Sequence, residues 1–439
     1  MSTGIYKTKK NEGITIGMSL YFLFILTRLI PARGSILGLT GLRTKLFLLV
    51  CIVLIAYKGK IKIHKIPIFY WIYFGIYVIC SIYHFWTKSI LNHIYMIMCI
   101  IGTVYFILEV IDTEQKFQIA LDMILLIFSV YALLGIIEAI TKINIFDILT
   151  GTSVEYFGAN ELRFGIARNR GAFGVSINNS MILCMILTLT IYKGIREKKR
   201  KYIIPYILLL FDIFLTISRT AWIFVIIIHI FIFLSLGTYK KMNVLMQIII
   251  VGIAIMAVLS MFMPTFFGNF LDISIKMVNS ILGSLGNSDV QNDIGELGNR
   301  KELWVWVFAA LKKHYVWGVG FAQQFSYNVD GWTKESIEIT WLYLLYRIGA
   351  VGLIGYIIFQ IGCIKLGVIE WIKNRKKKQE TPSFYYCFLI LTVGYFISQF
   401  AVAADPDLEI YYIIIGLVLA KKKIDSEVNL TYDKKIKRI

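Results

Sequence analysis

The arginines are the residues of this sequence whose type and placement best suit a chemical role. The chain has 13 arginines and 33 lysines, and the two populations separate once membrane spans are assigned. Most lysines fall in segments predicted to face the cytoplasm, where they orient a membrane protein. The guanidinium fork binds phosphate in a bidentate way that a lysine ammonium does not match. This pattern indicates an anionic, phosphate-bearing ligand at the external surface. Nine arginines are predicted to lie on the external side or inside the membrane: Arg28, Arg33, Arg43, Arg163, Arg168, Arg170, Arg219, Arg300 and Arg347.

Three of these arginines cluster at the end of the first long external loop, 141–171. Arg163, Arg168 and Arg170 lie within eight residues of one another, and glycines stand among and after them. Glycine lets the backbone approach a ligand closely, and arginine clusters suit phosphate. We therefore predict an anion site in this segment. The competing interpretation is that Arg168 and Arg170 only extend towards lipid headgroups.

The second long external loop, 265–338, is predicted to contain a short helix from Arg300 to Lys313. Trp304 and Trp306 on this helix are typical of a segment that lies in the membrane interface. The body of the helix fits a lid that rests on the membrane. Arg300, at its beginning, is the residue for which we predict a ligand role.

A few charged side chains are predicted to lie within or at the edge of the bilayer, where ionisable groups are costly. Asp212, Thr216 and Arg219 have i, i+4, i+7 spacing, which predicts that they share one helix face. Asp212 then needs a partner on another helix. Arg219 lies in a tight outer hairpin, where an arginine also fits a purely topological anchor. Arg347 lies deep in its span and needs a partner, and Glu338 lies at the outer end of that span.

The elements that must position these residues are membrane-spanning helices. A composition of 58% hydrophobic residues and a mean hydropathy of +0.70 exclude a soluble globular protein. Apolar runs of sufficient length and the alternation of lysine-rich segments predict an all-α polytopic membrane protein with about twelve spans and both termini in the cytoplasm. Residues 1–439 would form a single membrane domain. We place the spans near 14–32, 39–57, 67–83, 90–111, 117–140, 172–192, 202–218, 220–237, 243–264, 338–364, 384–403 and 408–420.

Composition also narrows the partners and cofactors. The formal net charge of +19 follows from the cytoplasmic lysines, so we expect no nucleic-acid partner. All six cysteines lie within or beside predicted spans, so we expect no disulfide in the external loops. His, Cys and carboxylate residues show no clustered spacing for a transition metal. We therefore expect no metal and no cofactor.

Short motifs follow one another around the second external loop. Together they resemble the O-antigen ligase and O-antigen polymerase superfamily of bacterial envelopes over about residues 160–365. An upstream pair, Arg170-Gly-Ala-Phe-Gly followed by Asn178-Asn179, is similar to that superfamily as well. The motifs around the loop are, in order, Ser218-Arg219-Thr-Ala-Trp, Asn299-Arg300 with Trp304, Gly318-Val-Gly320, Thr340-Trp-Leu-Tyr-Leu-Leu and Gly349-Ala-Val-Gly-Leu.

The resemblance implies metal-independent transfer of undecaprenyl-pyrophosphate-linked oligosaccharides at the external face of the bacterial cytoplasmic membrane. Ligases of the superfamily carry a His-Asn pair just before the leucine-rich span after the loop, where this chain has Glu338-Ile339. That difference favours a repeat-unit polymerase of O-antigen, capsule or exopolysaccharide, and it leaves the identity of the general base open. Membrane lipids, a flippase and a chain-length regulator are the other partners implied.

This reaction assigns two tasks to the candidate residues. Preorganised arginines would stabilise the charge that develops on the leaving pyrophosphate. A base would accept the proton of the acceptor hydroxyl, and Glu338 is the first choice and His314 the second. We thus predict that Glu338, Arg219 and Arg300 are catalytic. The predicted substrate-binding residues are Arg163, Arg168, Arg170, His314, Arg347 and Asp212.

Three other functions compete with the polymerase. A ligase is the nearest alternative. A lipid-linked oligosaccharide flippase or other transporter should gather its charges near the bilayer midplane on interrupted helices, whereas this chain gathers them in external loops. A lipid-phosphate-sugar glycosyltransferase with acidic residues in its first outer loop fits poorly, because loop 33–45 has no Asp or Glu.

Overall fold

The computed structural model of the chain describes separate stretches that together hold most of the predicted spans. These stretches are residues 3–30, 35–36, 39–40, 42–59, 64–84, 98–150, 162–163, 166–235, 268, 275, 295–312, 314–320, 325–329, 332–334, 337, 339–375, 382–400 and 409–436. Every structural statement below concerns these residues.

Helices dominate the described chain, as the sequence predicts. They are α1 (Thr3–Arg28), α2 (Leu42–Lys58), α3 (Ile68–Tyr83), α4 (Thr103–Val110, preceded by a π-helical turn at Met98–Gly102), α5 (Glu114–Thr141), α6 (Ile145–Thr150), α7 (Ser176–Glu197), α8 (Ile203–Leu215), α9 (Arg219–Ser235), α10 (Gly295–Leu311), α11 (Thr340–Arg375), α12 (Phe384–Ser398) and α13 (Glu409–Ile436).

Three short antiparallel hairpins interrupt the predicted external loops. The first pairs β1 (Ser35–Ile36) with β2 (Leu39–Thr40), and Ser35 stands opposite Thr40. The other two pair β3 (Leu162–Arg163) with β4 (Ile166–Ala167) and β5 (Tyr327–Val329) with β6 (Trp332–Lys334). The sequence predicted no strand in these loops.

Eleven of the predicted spans overlap a helix of the described chain, and the twelfth, 243–264, lies outside the described residues. Two helices are long and apolar enough, by length and composition, to cross a membrane: Glu114–Thr141 and Thr340–Lys373. Large apolar side chains stay exposed on several others, such as Leu49 (54%) and Ile52 (59%) on α2. Lipid chains can cover such faces. The number of spans and the sidedness of the termini stay predictions.

The core of the bundle lies around α7 and α13. Every side chain of α7 from Asn178 to Thr190 is buried, and so is every side chain of α13 from Ile410 to Ala420. A helix whose side chains are buried all round belongs in the interior of a helical assembly. The packed pairs around them include α5 with α8, α7 with α8, α9 with α12, α11 with α12, α3 with α11 and α4 with α13.

Ion pairs hold one end of the bundle. They join acidic residues of the helices to basic residues at segments that we predict to be cytoplasmic. Lys193 is fully buried and pairs with Asp122 at 3.0 Å and with Glu197. Burial alone would raise the pKa of Glu197, but hydrogen bonds from Lys193 and Lys199 outweigh it and hold that pKa at about 2. Lys421 on α13 reaches Glu114 on α5 at 3.0 Å. These carboxylates neutralise part of the basic charge at this end.

The turn between α8 and α9 corrects one prediction. Asp212, Thr216 and Arg219 do not share one helix face, because α8 ends at Leu215 and α9 begins at Arg219. Between them Ile217 has a φ of +49°, a left-handed conformation that no helix continues. The i, i+4, i+7 spacing was therefore misread as one helix, although both flanking segments are helical.

Helix α11 is interrupted at Gly349, and the motif Gly318-Val-Gly320 explains why. Gly349 has a φ of +69° and a ψ of −172°, a combination restricted to glycine. A Cβ on Gly318 would lie 2.6 Å from the carbonyl oxygen of Arg347. The two segments can therefore approach each other this closely only because residue 318 is a glycine. Four backbone hydrogen bonds fasten the segments together: Val319 N–H to Tyr346 O (2.8 Å), Gly320 N–H to Arg347 O (2.9 Å), Ala350 N–H to Tyr315 O (2.8 Å) and Val351 N–H to Val316 O (3.2 Å).

The predicted interfacial helix is present as α10. Leu303, Val307 and Leu311 are buried at i, i+4, i+8 and form its inner face, and the helix packs against α11. Trp304 is 45% exposed on another face. The helix is thus amphipathic, and its position in the membrane interface stays a prediction.

Candidate functional site

A buried carboxylate shapes the backbone of the arginine-rich segment 168–171. The two oxygens of Glu138 accept the backbone N–H groups of Arg170 and Gly171, each at 3.2 Å. Asn144 Nδ2 donates to Glu138 Oε1 at 3.1 Å and to the Gly171 carbonyl at 3.0 Å. Gly171 has a φ of +51°, a conformation that favours glycine. Glu138 lies in the last turns of α5, so a long helix fixes where this segment turns.

Asn169 ties the same segment to α8. Its Nδ2 donates to Asp212 Oδ1, and its backbone N–H donates to the Leu215 carbonyl at 3.3 Å. Asp212 is fully buried, and its Oδ2 has no hydrogen-bond partner within the described part of the chain. The predicted partner of Asp212 on another helix was therefore wrong. The partner is an amide in the predicted external loop, and the contact docks that loop on the helix.

Arg168 lies against the turn that leads to Arg219. Arg168 Nε donates to the carbonyl oxygen of Thr216 at 3.2 Å, and Thr216 precedes Arg219 by three residues. Both arginines are half-buried. The structure thus brings together two arginine-bearing segments that are separated by about fifty residues in sequence.

Arg170 is the most enclosed arginine of this site. Its side chain is 5% exposed and pairs through Nη2 with Asp147 on α6. Behind it, the Tyr131 hydroxyl accepts the Ala172 N–H at 3.1 Å and donates to Asn179 Oδ1 at 2.6 Å. A phosphate that binds Arg170 must share its guanidinium with Asp147 or displace that carboxylate. Glu138, Asn144, Asn169 and Tyr131 thus form a hydrogen-bonded frame, which holds the segment that carries Arg168 and Arg170.

The frame is packed so closely that one glycine on α5 is essential to it. An added Cβ on Gly135 would collide with Asn169 Nδ2 and would lie 2.5 Å from Asp212 Oδ1. We expect Gly135→Ala to cost about 1–3 kcal/mol of stability through overpacking, seen as a lower Tm of the purified protein in detergent. Gly75→Ala on α3 is the matched control, because nothing lies within 4 Å of its added Cβ. Equal melting temperatures of the two variants would contradict the close approach of Gly135 to Asn169 and Asp212.

The other predicted site residues lie elsewhere or outside the described residues. Arg347 Nη1 donates to the Gly320 carbonyl at 3.1 Å, and its guanidinium stacks over Tyr343 at 5.2 Å. Arg347 therefore has the partner that its depth requires. His314 is exposed just after α10. Glu338, Arg33 and the side chains of Arg163 and Arg300 lie outside the described residues.

Arg28 and Arg43 form a separate cluster with Glu409. Within the described residues, no group of three or more His, Cys, Asp or Glu side chains could hold a metal ion. That the chemistry needs no metal stays a prediction. The candidate cationic site consists of Arg168, Arg170 and Arg219, with Asp212, Asn169 and Glu138 as its support.

One part of the chain matches a family of known proteins. Residues 204–359, which hold α8, the turn before Arg219, α10 and the Gly349 break, match the family model described as O-antigen ligase. The chain is similar to the O-antigen ligase family. The resemblance to the O-antigen polymerase and ligase superfamily, predicted from short motifs, is thereby confirmed. A search of curated proteins finds no match to the chain. With this family and these apolar helices, the chain is a membrane protein.

The sequence missed the residues that support the arginines. Neither Glu138 nor Asn169 nor Asn144 was given a role from the sequence. One signal was available: Asn169 stands between two arginines and two residues before Gly171, where a small amide suits a turn. Asn179, part of a quoted motif, proves to hold Tyr131. No local signal links Glu138 to a backbone 32 residues later.

Proposed function

We propose that this chain polymerises undecaprenyl-pyrophosphate-linked oligosaccharide repeat units at the external face of the bacterial cytoplasmic membrane. The observation that carries the proposal is the fixed Arg168–Gly171 segment beside the turn that leads to Arg219. Cations that are held before the reaction stabilise developing negative charge without reorganisation. The product would be O-antigen, capsule or exopolysaccharide.

The proposed step is a glycosyl transfer between two lipid-linked molecules. A hydroxyl oxygen of the incoming repeat unit attacks the anomeric carbon of the growing chain and forms the new glycosidic bond. The bond from that carbon to the pyrophosphate oxygen breaks, and undecaprenyl pyrophosphate leaves with the electron pair. The hydroxyl proton passes to a base. The step involves no oxidation or reduction, so it needs no redox partner.

Each residue of the site has a role in this step. Arg168, Arg170 and Arg219 are the proposed contacts of the pyrophosphate, with Arg300 as a further cation. Glu338 is the proposed base and His314 the second candidate, because a positioned base contributes about 10²–10⁴-fold. Ile337 and Ile339, the neighbours of Glu338, are buried just before α11, so that part of the chain is anchored. Asp212 and Arg347 act through their contacts rather than on substrate.

A ligase is the second candidate, and the description of the matched family favours it. A ligase would move finished polymer from the lipid carrier to another acceptor. Glu338-Ile339 stands where ligases of the superfamily have His-Asn, which favours the polymerase. A flippase or other transporter is the third, and it would use the arginines as a gate. A flippase and a chain-length regulator are the proposed protein partners of the polymerase.

The deciding experiment is the size profile of the surface glycan from a strain that lacks this protein. A polymerase predicts glycan capped with a single repeat unit and lipid-linked single repeats outside the membrane. Full-length polymer retained on its lipid carrier would replace the polymerase by the ligase. Single repeats trapped on the cytoplasmic leaflet would replace it by the flippase.

A further inference from the structure

Two arginines far from the loop site share one buried carboxylate. Arg28, the last residue of α1, and Arg43, in the first turn of α2, both pair with Glu409 Oε2 at the beginning of α13, Arg43 at 2.6 Å. Cys99 Sγ donates to Glu409 Oε1 at 3.3 Å. Arg28 is completely buried, and Glu409 is 4% exposed. Three segments of the chain thus meet at a single carboxylate.

The cluster is short of negative charge and of acceptors. Two guanidinium groups and one carboxylate leave a net charge of +1, counted over the described residues. Arg28 Nε, Arg28 Nη2 and Arg43 Nε are buried and have no hydrogen-bond partner there. The rings of Phe24 and Phe47 cover Arg28 at 4.5 and 4.1 Å. Those faces attract a cation, but they accept none of the N–H groups, which lie in the guanidinium plane. Buried charge of this kind calls for an anion.

The surroundings indicate what kind of molecule brings the anion. Arg43 keeps 9% of its side chain exposed, so the cluster is reached along α2. The outward faces beside it are apolar: Leu23 on α1 is 49% exposed, and Leu48 and Leu49 on α2 are 41% and 54% exposed. An anionic group with attached acyl chains fits both features, since the chains cover the apolar faces while the head reaches the arginines. Free phosphate would leave those faces uncovered.

We propose that Arg28 and Arg43 bind the phosphodiester group of a membrane phospholipid between α1 and α2. A phosphodiester carries one negative charge, which matches the residual +1 of the cluster, and its oxygens suit the in-plane N–H donors of arginine. A polyprenyl pyrophosphate carries more charge than the cluster lacks. Nothing in this site depends on the proposed polymerase activity. The bound lipid would join α1 and α2 to the beginning of α13.

The test measures the Tm of the full-length protein, purified in detergent, with added phosphatidylglycerol. We expect a rise of about 5 °C at saturating lipid, and no comparable rise with diacylglycerol of the same acyl chains. Arg43→Gln leaves Arg28 and Glu409 as a neutral pair, so this variant should fold and should lose the response. Native mass spectrometry should find phosphatidylglycerol on the parent protein and not on Arg43→Gln.

Arg196→Gln is the matched control, because Arg196 pairs with Glu114 in the network around Lys193. It should keep the full response to phosphatidylglycerol. An equal effect of diacylglycerol would overturn the proposal, and so would an unchanged response of Arg43→Gln. A response to undecaprenyl phosphate but not to phosphatidylglycerol would assign the site to the carrier lipid instead. If an acidic residue of segment 401–408 neutralises the arginines, neither lipid will act through Arg43, and the proposal fails.

Discussion

Replacing Arg219 by lysine should abolish most polymer while the protein stays in the membrane. The substitution keeps the positive charge at the beginning of α9, so insertion and topology are unaffected. It removes the planar fork that binds phosphate oxygens in pairs. Loss of one preorganised donor at a developing oxyanion costs about 10²–10³ in kcat. The measurement is the glycan size profile of cells carrying Arg219→Lys, normalised to the protein content of the membrane fraction.

The matched control for Arg219→Lys is Arg196→Lys. Arg196 is 39% exposed and reaches Glu114 at 2.9 Å. A lysine there keeps the positive charge and stays in contact with solvent. We expect normal chain lengths from this control. Normal chains from Arg219→Lys as well would show that Arg219 is a topological anchor, and the arginine site would lose its central member.

Glu138→Gln should lower activity through the arginine segment rather than through unfolding. The glutamine keeps one acceptor oxygen, but its amide nitrogen opposes the N–H of Arg170 or Gly171. One buried N–H then lacks an acceptor, at a cost of about 1–3 kcal/mol. If the segment shifts to relieve this cost, kcat/KM falls by about tenfold to a hundredfold with purified lipid-linked substrate. Because the shift relieves most of this cost, protein yield should stay normal and Tm should fall less than in Gly135→Ala.

A double-mutant cycle separates positioning from general damage. Glu138 acts by fixing the backbone of Arg170, so Glu138→Gln and Arg170→Lys should have effects that do not add when combined. Glu114→Gln, on the same helix but in the ion-pair network around Lys193, should leave kcat/KM unchanged. Strictly additive losses would mean that Glu138 acts on stability alone and that Arg170 is not held by it.

Local sequence rules predicted most of the described helices of this protein. Apolar runs such as 117–140 and 384–403 became α5 and α12 because the length of an apolar segment is a property of neighbouring residues. The short motifs indicated the superfamily because each motif also consists of neighbouring residues. The concentration of arginine outside the predicted cytoplasmic segments also pointed to segment 168–171, although not to what supports it.

Contacts between distant residues needed the tertiary structure. The i, i+4, i+7 pattern at Asp212 could not reveal the turn at Ile217, because an apolar run gives no sign of where a hairpin interrupts it. The break at Gly349 depends on a turn segment that docks from thirty residues away. A buried charge demands a partner, but the sequence cannot say which one: Asp212 found Asn169, and Arg28 found Glu409. A charged residue within an apolar segment shows in the sequence that a partner is needed. Only the packing of helices against loops decides which residue becomes that partner.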